Sequence, residues 1–276
     1  MVSLGSTTKL TQRCRLSTQL LFYANAVPVS SQRHASLAVK AGGNFGFARL
    51  VNSVPLTAVE FPRAAREYAV VFAGDGDAIM PVAILGAEAE RNAFVKEDGS
   101  WDGKYVPAFV RRYPFVFAAS ADGATFTLCI DDTFEGCNDD GRGERLFDTA
   151  GERTQYLETV LNFVKEYQAQ FQRTRAFCAR LKELDLLEPM QAQFTLPDGQ
   201  RKNLTGFMAV NRTKLKALDD AELALMAKTD ALELIYLHLY SMQNFSDILT
   251  RTGATPAAVP EGAGDATEGD GAPPLH

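Results

Sequence analysis

Histidine is nearly absent from this chain: among 276 residues only His34, His238 and His276 carry an imidazole. Zinc and non-haem iron centres built on histidine mostly take at least two, so a metal site of that kind is not expected. Long apolar runs are missing too, Ala69 to Ala73 being typical. A membrane helix needs about 18 apolar residues or more, which excludes a permease built of such helices. Cysteine is scarce: Cys14, Cys129, Cys137 and Cys178 lie scattered, with no CxxC. Cys129 and Cys137 flank a loop-like stretch and would be the pair to close on export. Four isolated cysteines do not make a disulfide framework, so thiols in a reducing cytoplasm are expected, with a periplasmic or surface-associated location as the alternative. Positive charge is in deficit, 28 Lys and Arg against 34 Asp and Glu, a net −6. That sign opposes nucleic-acid binding, which needs clustered cations.

The familiar catalytic signatures are missing as well. There is no GxGxxG, GxxxxGK[ST], GxSxG or HExxH in the chain, so no catalytic residue is assigned and no cofactor is expected. The acidic stretch 129–148 superficially resembles a calcium loop, with Gly136 at the sixth position counted from Asp131. Its twelfth position is Arg142 where a bidentate glutamate belongs, so a solvated acidic loop is the better reading.

What remains is an ordinary globular composition, 46% hydrophobic and 22% charged, sized for one large domain or two small ones. Residues 1–20 read as a loose N-terminus. Lys9, Arg13 and Arg15 precede the apolar stretch 20–24, but a secretory core of about 7–15 apolar residues is not reached, so this is read as mature protein. Residues 252–276 hold four acids, no Lys or Arg, and little that packs; they read as a disordered acidic tail. Between them, 21–251 reads as a single domain.

Up to about residue 150 the pattern favours short strands and turns. YAVVF (68–72) and PVAIL (81–85) flank a Gly-Asp-rich turn, and FVFAA (115–119) and TFTLCI (125–130) flank Asp122-Gly123; both read as hairpins. From Thr154 to Leu187 apolar residues recur at three- and four-residue steps, predicting a long helix with a bend or break at Thr174. QAQFTLPDGQRKNL (191–204) predicts a hairpin turning at Pro197-Asp198-Gly199, with GFMAV (206–210) a further strand. Asp219 to Glu222 has the layout of a capping box stapled by Leu218 and Leu223, and a final helix is expected from Asp230 onward. The fold class is α+β: a mainly antiparallel β region followed by a helix-rich C-terminal half that contains a β-hairpin.

The candidate binding segment is WDGKYVPAFVRRYPF, residues 101–115. Trp101, Tyr105 and Tyr113 interleave with Arg111 and Arg112, and rings stacked on guanidinium planes can hold a carboxylate or phosphate. The competing reading puts the rings in the core and an arginine on an internal acid. His34 joins the set as the one group fit for acid–base work if the protein is an enzyme.

These same segments resemble the bacterial SapC-like family. The resemblance runs through VPVSSQRHASL (27–37), VPLTAVEFPRAAREYAVVF (54–72), PVAILG (81–86), NAFV (92–95) and the W-x3-Y-x-P-x3-RRYPF pattern of 101–115. It continues in LFDTAGERTQYL (146–157), LLEPMQAQFTLPDGQRKNLTGFMAVN (186–211) and ALELIYLHLYSMQNFSDIL (231–249), in family order. It implies an association with a bacterial surface layer or with peptide transport and handling, and carries no catalytic residues over. The expectation is a soluble, non-enzymatic binding or assembly protein whose partner is a peptide, an anionic small molecule or another protein. The alternative is an enzyme, or an enzyme accessory, acting on a peptide or small metabolite, in nutrient uptake or halogenase-associated peptide modification.

Overall fold

The computed structural model describes residues 21–120, 123 and 125–256; the expected loose N-terminus and residues 257–276 of the expected tail lie outside them. In chain order, strands β1 (Ala26–Pro28), β2 (Ala38–Val39) and β3 (Ser53–Pro55) precede helix α1 (Phe61–Ala64). The hairpin β4 (Ala69–Ala73) and β5 (Met80–Ile84) follows, then helix α2 (Ala108–Arg111) and the hairpin β6 (Phe115–Ala119) and β7 (Phe126–Asp131). Strands β8 (Cys137–Asn138) and β9 (Glu144–Arg145) lead into helix α3 (Gln155–Glu183). The long hairpin β10 (Leu187–Thr195) and β11 (Arg201–Val210) comes next. Helices α4 (Arg212–Lys216), α5 (Asp220–Lys228), α6 (Ala231–Ser241) and α7 (Phe245–Thr252) and strand β12 (Thr255–Pro256) complete it. The fold is α+β. The strands form sheets of order β1-β7-β6, β12-β10-β11-β4-β5-β3 and β8-β2-β9, and the pairings are antiparallel. Among the described residues no helix is long and apolar enough to cross a membrane.

Helix α3 organises the molecule. Its 29 residues make a rod about 44 Å long at 1.5 Å per residue. Thr154 caps it, its hydroxyl accepting the Leu157 N–H at 3.3 Å, which satisfies one orphan donor of the first turn. Leu157, Leu161 and Val164 bury against Phe115, Leu128 and Ile130 of the β6–β7 hairpin. Further along, Cys178 and Leu181 pack with Phe72 and Ile79 near the six-stranded sheet. Contact with both sheets explains why paired apolar residues such as Tyr156 and Leu157 widen the stripe beyond a single row.

The expected break at Thr174 does not occur. Its hydroxyl donates to the Gln170 carbonyl at 2.7 Å and accepts the Ala58 N–H at 2.8 Å, and the residue has no exposed surface. The polar residue in the stripe is the docking point for a turn from the other end of the chain. Thr174→Val, which strands that N–H, is expected to lower stability by about 1–2 kcal/mol in urea unfolding, with Thr174→Ser near the parent.

Three further expectations are modified. β11 runs through Arg201–Val210 as one strand, with GFMAV as its second half. The register shifts between Met190 and Ala192, so Thr205 and Gly206 oppose Gln191; Gly206 adopts φ +84°, a conformation glycine takes without strain. In the box at 219–222, Asp219 accepts the Glu222 N–H at 2.8 Å, but the Glu222 carboxylate turns instead to Arg180, at 3.1 and 2.5 Å. The final helix tightens into a 3-10 turn at Met242–Asn244 before α7 begins.

That last feature serves the sheet. β4 and β11 pair only at Ala73 with Phe207 and Phe72 with Met208, then diverge. Side chains from α6 and the following turn take over the exposed backbone. The His238 Nε2 accepts the Val210 N–H at 3.0 Å, so the proton sits on Nδ1, which lies 2.6 Å from the Val70 carbonyl. The Ser241 hydroxyl accepts the Val70 N–H at 3.0 Å, and the Asn244 amide donates to Ala65 and Tyr68 carbonyls at 2.8 and 3.0 Å. An imidazole and a hydroxyl stand where a neighbouring strand would be, and the amide holds the turn between α1 and β4.

Candidate functional site

The segment 101–115 does not gather its aromatic and basic residues in one place. Trp101 serves the core: its indole N–H donates to the Tyr68 hydroxyl at 3.0 Å, its ring stacks on Phe94 at 6.1 Å, and Tyr68 in turn donates to the Tyr105 carbonyl. Tyr113 packs among Phe47, Phe134 and Tyr23, with centroids 4.2, 5.1 and 5.1 Å away. Burial, and then the Asp131 charge, raise its phenol pKa. Consecutive helical residues point about 100° apart, and Arg111 and Arg112 separate accordingly. Arg112 is buried, its guanidinium carbon 4.2 Å from the Phe109 ring, 5.0 Å from Tyr167 and 5.8 Å from Tyr23. Arg111 stays exposed at the surface.

His34 is elsewhere. It is buried in the loop after β1, where its Nδ1 accepts the Ser30 N–H at 3.2 Å. Burial and the neighbouring Arg33 charge push its pKa below the ordinary 6.5, and its Nε2 has no hydrogen-bond partner among the described residues. It does not line the cleft that holds Arg111.

That cleft is built around Tyr105 and Arg111. It has a volume of about 310 Å³ and lies between the turn at 57–60, the start of α2 and the middle of α3. Arg111 lies 5.8 Å from the Tyr105 ring and 5.2 Å from Phe163, and its Nε donates to the Val106 carbonyl at 3.0 Å. Arg63, on α1, approaches the same Tyr105 ring at 6.0 Å. Among the described residues neither guanidinium is ion-paired with a carboxylate. Glu166, Tyr167, Gln170 and Val59 complete the walls.

Buried Glu60 fixes this geometry. One oxygen accepts the Thr57 N–H at 2.7 Å and the Thr57 hydroxyl at 2.8 Å, closing a T-x-x-E capping box. The other accepts the Tyr105 hydroxyl at 2.8 Å and the Ala108 N–H at 2.7 Å. Four donors on one carboxylate tie the turn to the start of α2 and set the ring that both arginines face. Burial, then the Glu60 charge, raise the Tyr105 phenol pKa, so the ring stays neutral. Glu60, Arg63, Phe163 and Tyr167 escaped the sequence reading. Thr57 and Glu60 carry a legible box signature; Arg63 has none beyond the resemblance, and Phe163 and Tyr167 look like ordinary helix-stripe residues.

The lining sets two cations, Arg63 and Arg111, against an aromatic wall, together with the carboxylates of Glu60 and Glu166; guanidinium forks placed on a ring are suited to holding an anion. No curated protein and no solved structure matches the chain. Residues 29–248 match the family model described as SapC, over the span that contains the turn at 57–60, the cleft arginines and α3; the chain belongs to the SapC family.

Proposed function

We propose that this protein is a non-enzymatic binding protein that captures an anionic small molecule or peptide in the cleft between Arg63, Tyr105 and Arg111. Its setting would be the surface-layer or peptide-handling role that the family name suggests, in the cytoplasm or at the cell envelope. One observation carries this reading: two guanidiniums share one aromatic wall of an open cavity, and among the described residues neither is ion-paired with a carboxylate. An unpaired arginine fork on a ring is pre-organised for a planar anion.

The reading predicts a division of labour between neighbouring arginines. In calorimetric titration with 3-phenylpropanoate, Arg63→Gln/Arg111→Gln is expected to weaken affinity at least roughly tenfold, with the fold intact, since a hydrogen bond to a charged group contributes about 1.5–3 kcal/mol. Arg112→Gln instead reports on folding, because that side chain is 2% exposed. Equal affinity of parent and cleft variant would remove the basis for the proposal. The enzyme alternative would gain from His34 converging with Arg111 or Arg112 in one pocket, and His34 is not part of the lining of the Arg111 cleft.

A further inference from the structure

The cleft is not simply cationic. Two guanidiniums, Arg63 and Arg111, share the lining with two carboxylates, Glu60 and Glu166, so its formal charges cancel. The two carboxylates differ in what they have left to offer. Glu60 is occupied by four donors. Glu166 lies exposed on α3, and among the described residues its side chain accepts one hydrogen bond, from the Gln170 amide at 2.7 Å. It retains acceptor capacity for a cation, because an ionised carboxylate has about four lone-pair positions.

Two more features narrow the ligand. Val59 is 63% exposed although apolar, and lines the cleft together with the Phe163 and Tyr105 rings. Tyr167, only 3% exposed, lines it too, and its hydroxyl finds no hydrogen-bond partner among the described residues. A polar group left this way is costly unless something satisfies it. The volume, about 310 Å³, sits at the small end of ligand sites.

Building on the anion-binding reading above, we infer that the cleft takes a zwitterion: a free α-amino acid with an apolar or aromatic side chain. Its carboxylate meets the Arg63 and Arg111 forks, its ammonium meets Glu166, and its side chain covers Val59 and Phe163. A dianion such as phosphate would use the same forks but face both carboxylates with nothing to offset them. An amine lacking a carboxylate would leave both arginines unanswered.

Calorimetric titration of the full chain with L-phenylalanine, N-acetyl-L-phenylalanine, 3-phenylpropanoate, phenethylamine and inorganic phosphate tests this. L-phenylalanine is expected to bind about fivefold or more tightly than any other probe, a margin of about 1 kcal/mol. Glu166→Gln should erase its advantage over 3-phenylpropanoate while changing 3-phenylpropanoate binding less than about twofold. Glu166, Arg63 and Arg111 are all exposed, and circular dichroism confirms an intact fold. Tighter binding of phosphate, 3-phenylpropanoate or the N-acetyl derivative, or an unchanged ratio in Glu166→Gln, would overturn the zwitterion while leaving the cleft an anion site. Arginine substitutions without effect on any probe would overturn the cleft itself, and the zwitterion with it.

Discussion

His238→Leu is expected to unfold in urea with about 3–5 kcal/mol less stability than the parent. The side chain is fully buried and joins the Val210 N–H to the Val70 carbonyl across the gap between β4 and β11. Leucine fills the volume but leaves a buried donor without its partner and weakens the acceptor side, at about 1–3 kcal/mol for each stranded group. His238→Gln, whose amide offers one donor and one acceptor, should recover much of the loss. The same residue makes the protein sensitive to acid. Burial holds the imidazole pKa down at about 4, against 6.5 in an exposed chain. Below pH 6.5 the unfolded chain therefore takes up a proton that the native state refuses until about pH 4. The stabilisation is complete above 6.5 and drains away between 6.5 and 4, by roughly 3 kcal/mol in all. Denaturation midpoints measured from pH 7.5 to 4.5 should fall more steeply for the parent than for His238→Gln. Parallel curves would show that the ring does not titrate as described.

Glu60→Ala is expected to be of similar size, about 3–5 kcal/mol, and to reach the cleft as well. The substitution leaves two backbone N–H groups and two hydroxyls without their acceptor, three of the four bonds lying between fully buried groups. Losing the acceptor in a buried, charge-assisted cluster is among the costlier single changes a protein meets. Glu60→Gln keeps the shape but turns an amide N–H₂ toward groups that already donate, so it should recover less than half. Thermal unfolding measures the stability term. The position of the Tyr105 ring is read separately by the affinity for 3-phenylpropanoate, which should weaken in Glu60→Gln under conditions where the variant is folded. A loss below about 1 kcal/mol would mean that the carboxylate is not the anchor of the 57–60 turn.

Local patterns carried the sequence reading a long way and long-range ones did not. The two early hairpins, the hairpin turning at Gly199 with φ +83°, and the period of α3 are visible because each is written within a few residues. Thr174 looked like an interruption because its partner, Ala58, is 116 positions away; nothing in the helix announces a docked turn. GFMAV looked separate because a bulge shifts the alternation by one residue, and periodicity reads that as a boundary. In the candidate segment, Tyr105 and Arg111 meet in one cleft, whereas Trp101, Arg112 and Tyr113 pack inward. One dimension of sequence does not say which side of a short helix faces water, so adjacent arginines looked equivalent. Arg63 came to the site only through its shared ring. The fold class was legible; the composition of the cleft was half so.

The gap between β4 and β11 also has a bearing on how the chain is born. Val70 leaves the ribosome 168 residues ahead of the imidazole that completes it. At roughly 5–20 residues per second, that interval is about eight to thirty-four seconds. Throughout it, the middle of the largest sheet carries bare amide and carbonyl groups beside a freshly made apolar strand, a combination that invites association with other nascent chains. Completion waits on the translation of α6, so a prematurely terminated polypeptide ending before residue 238 would be a substrate for chaperones and proteases, not a shorter working protein.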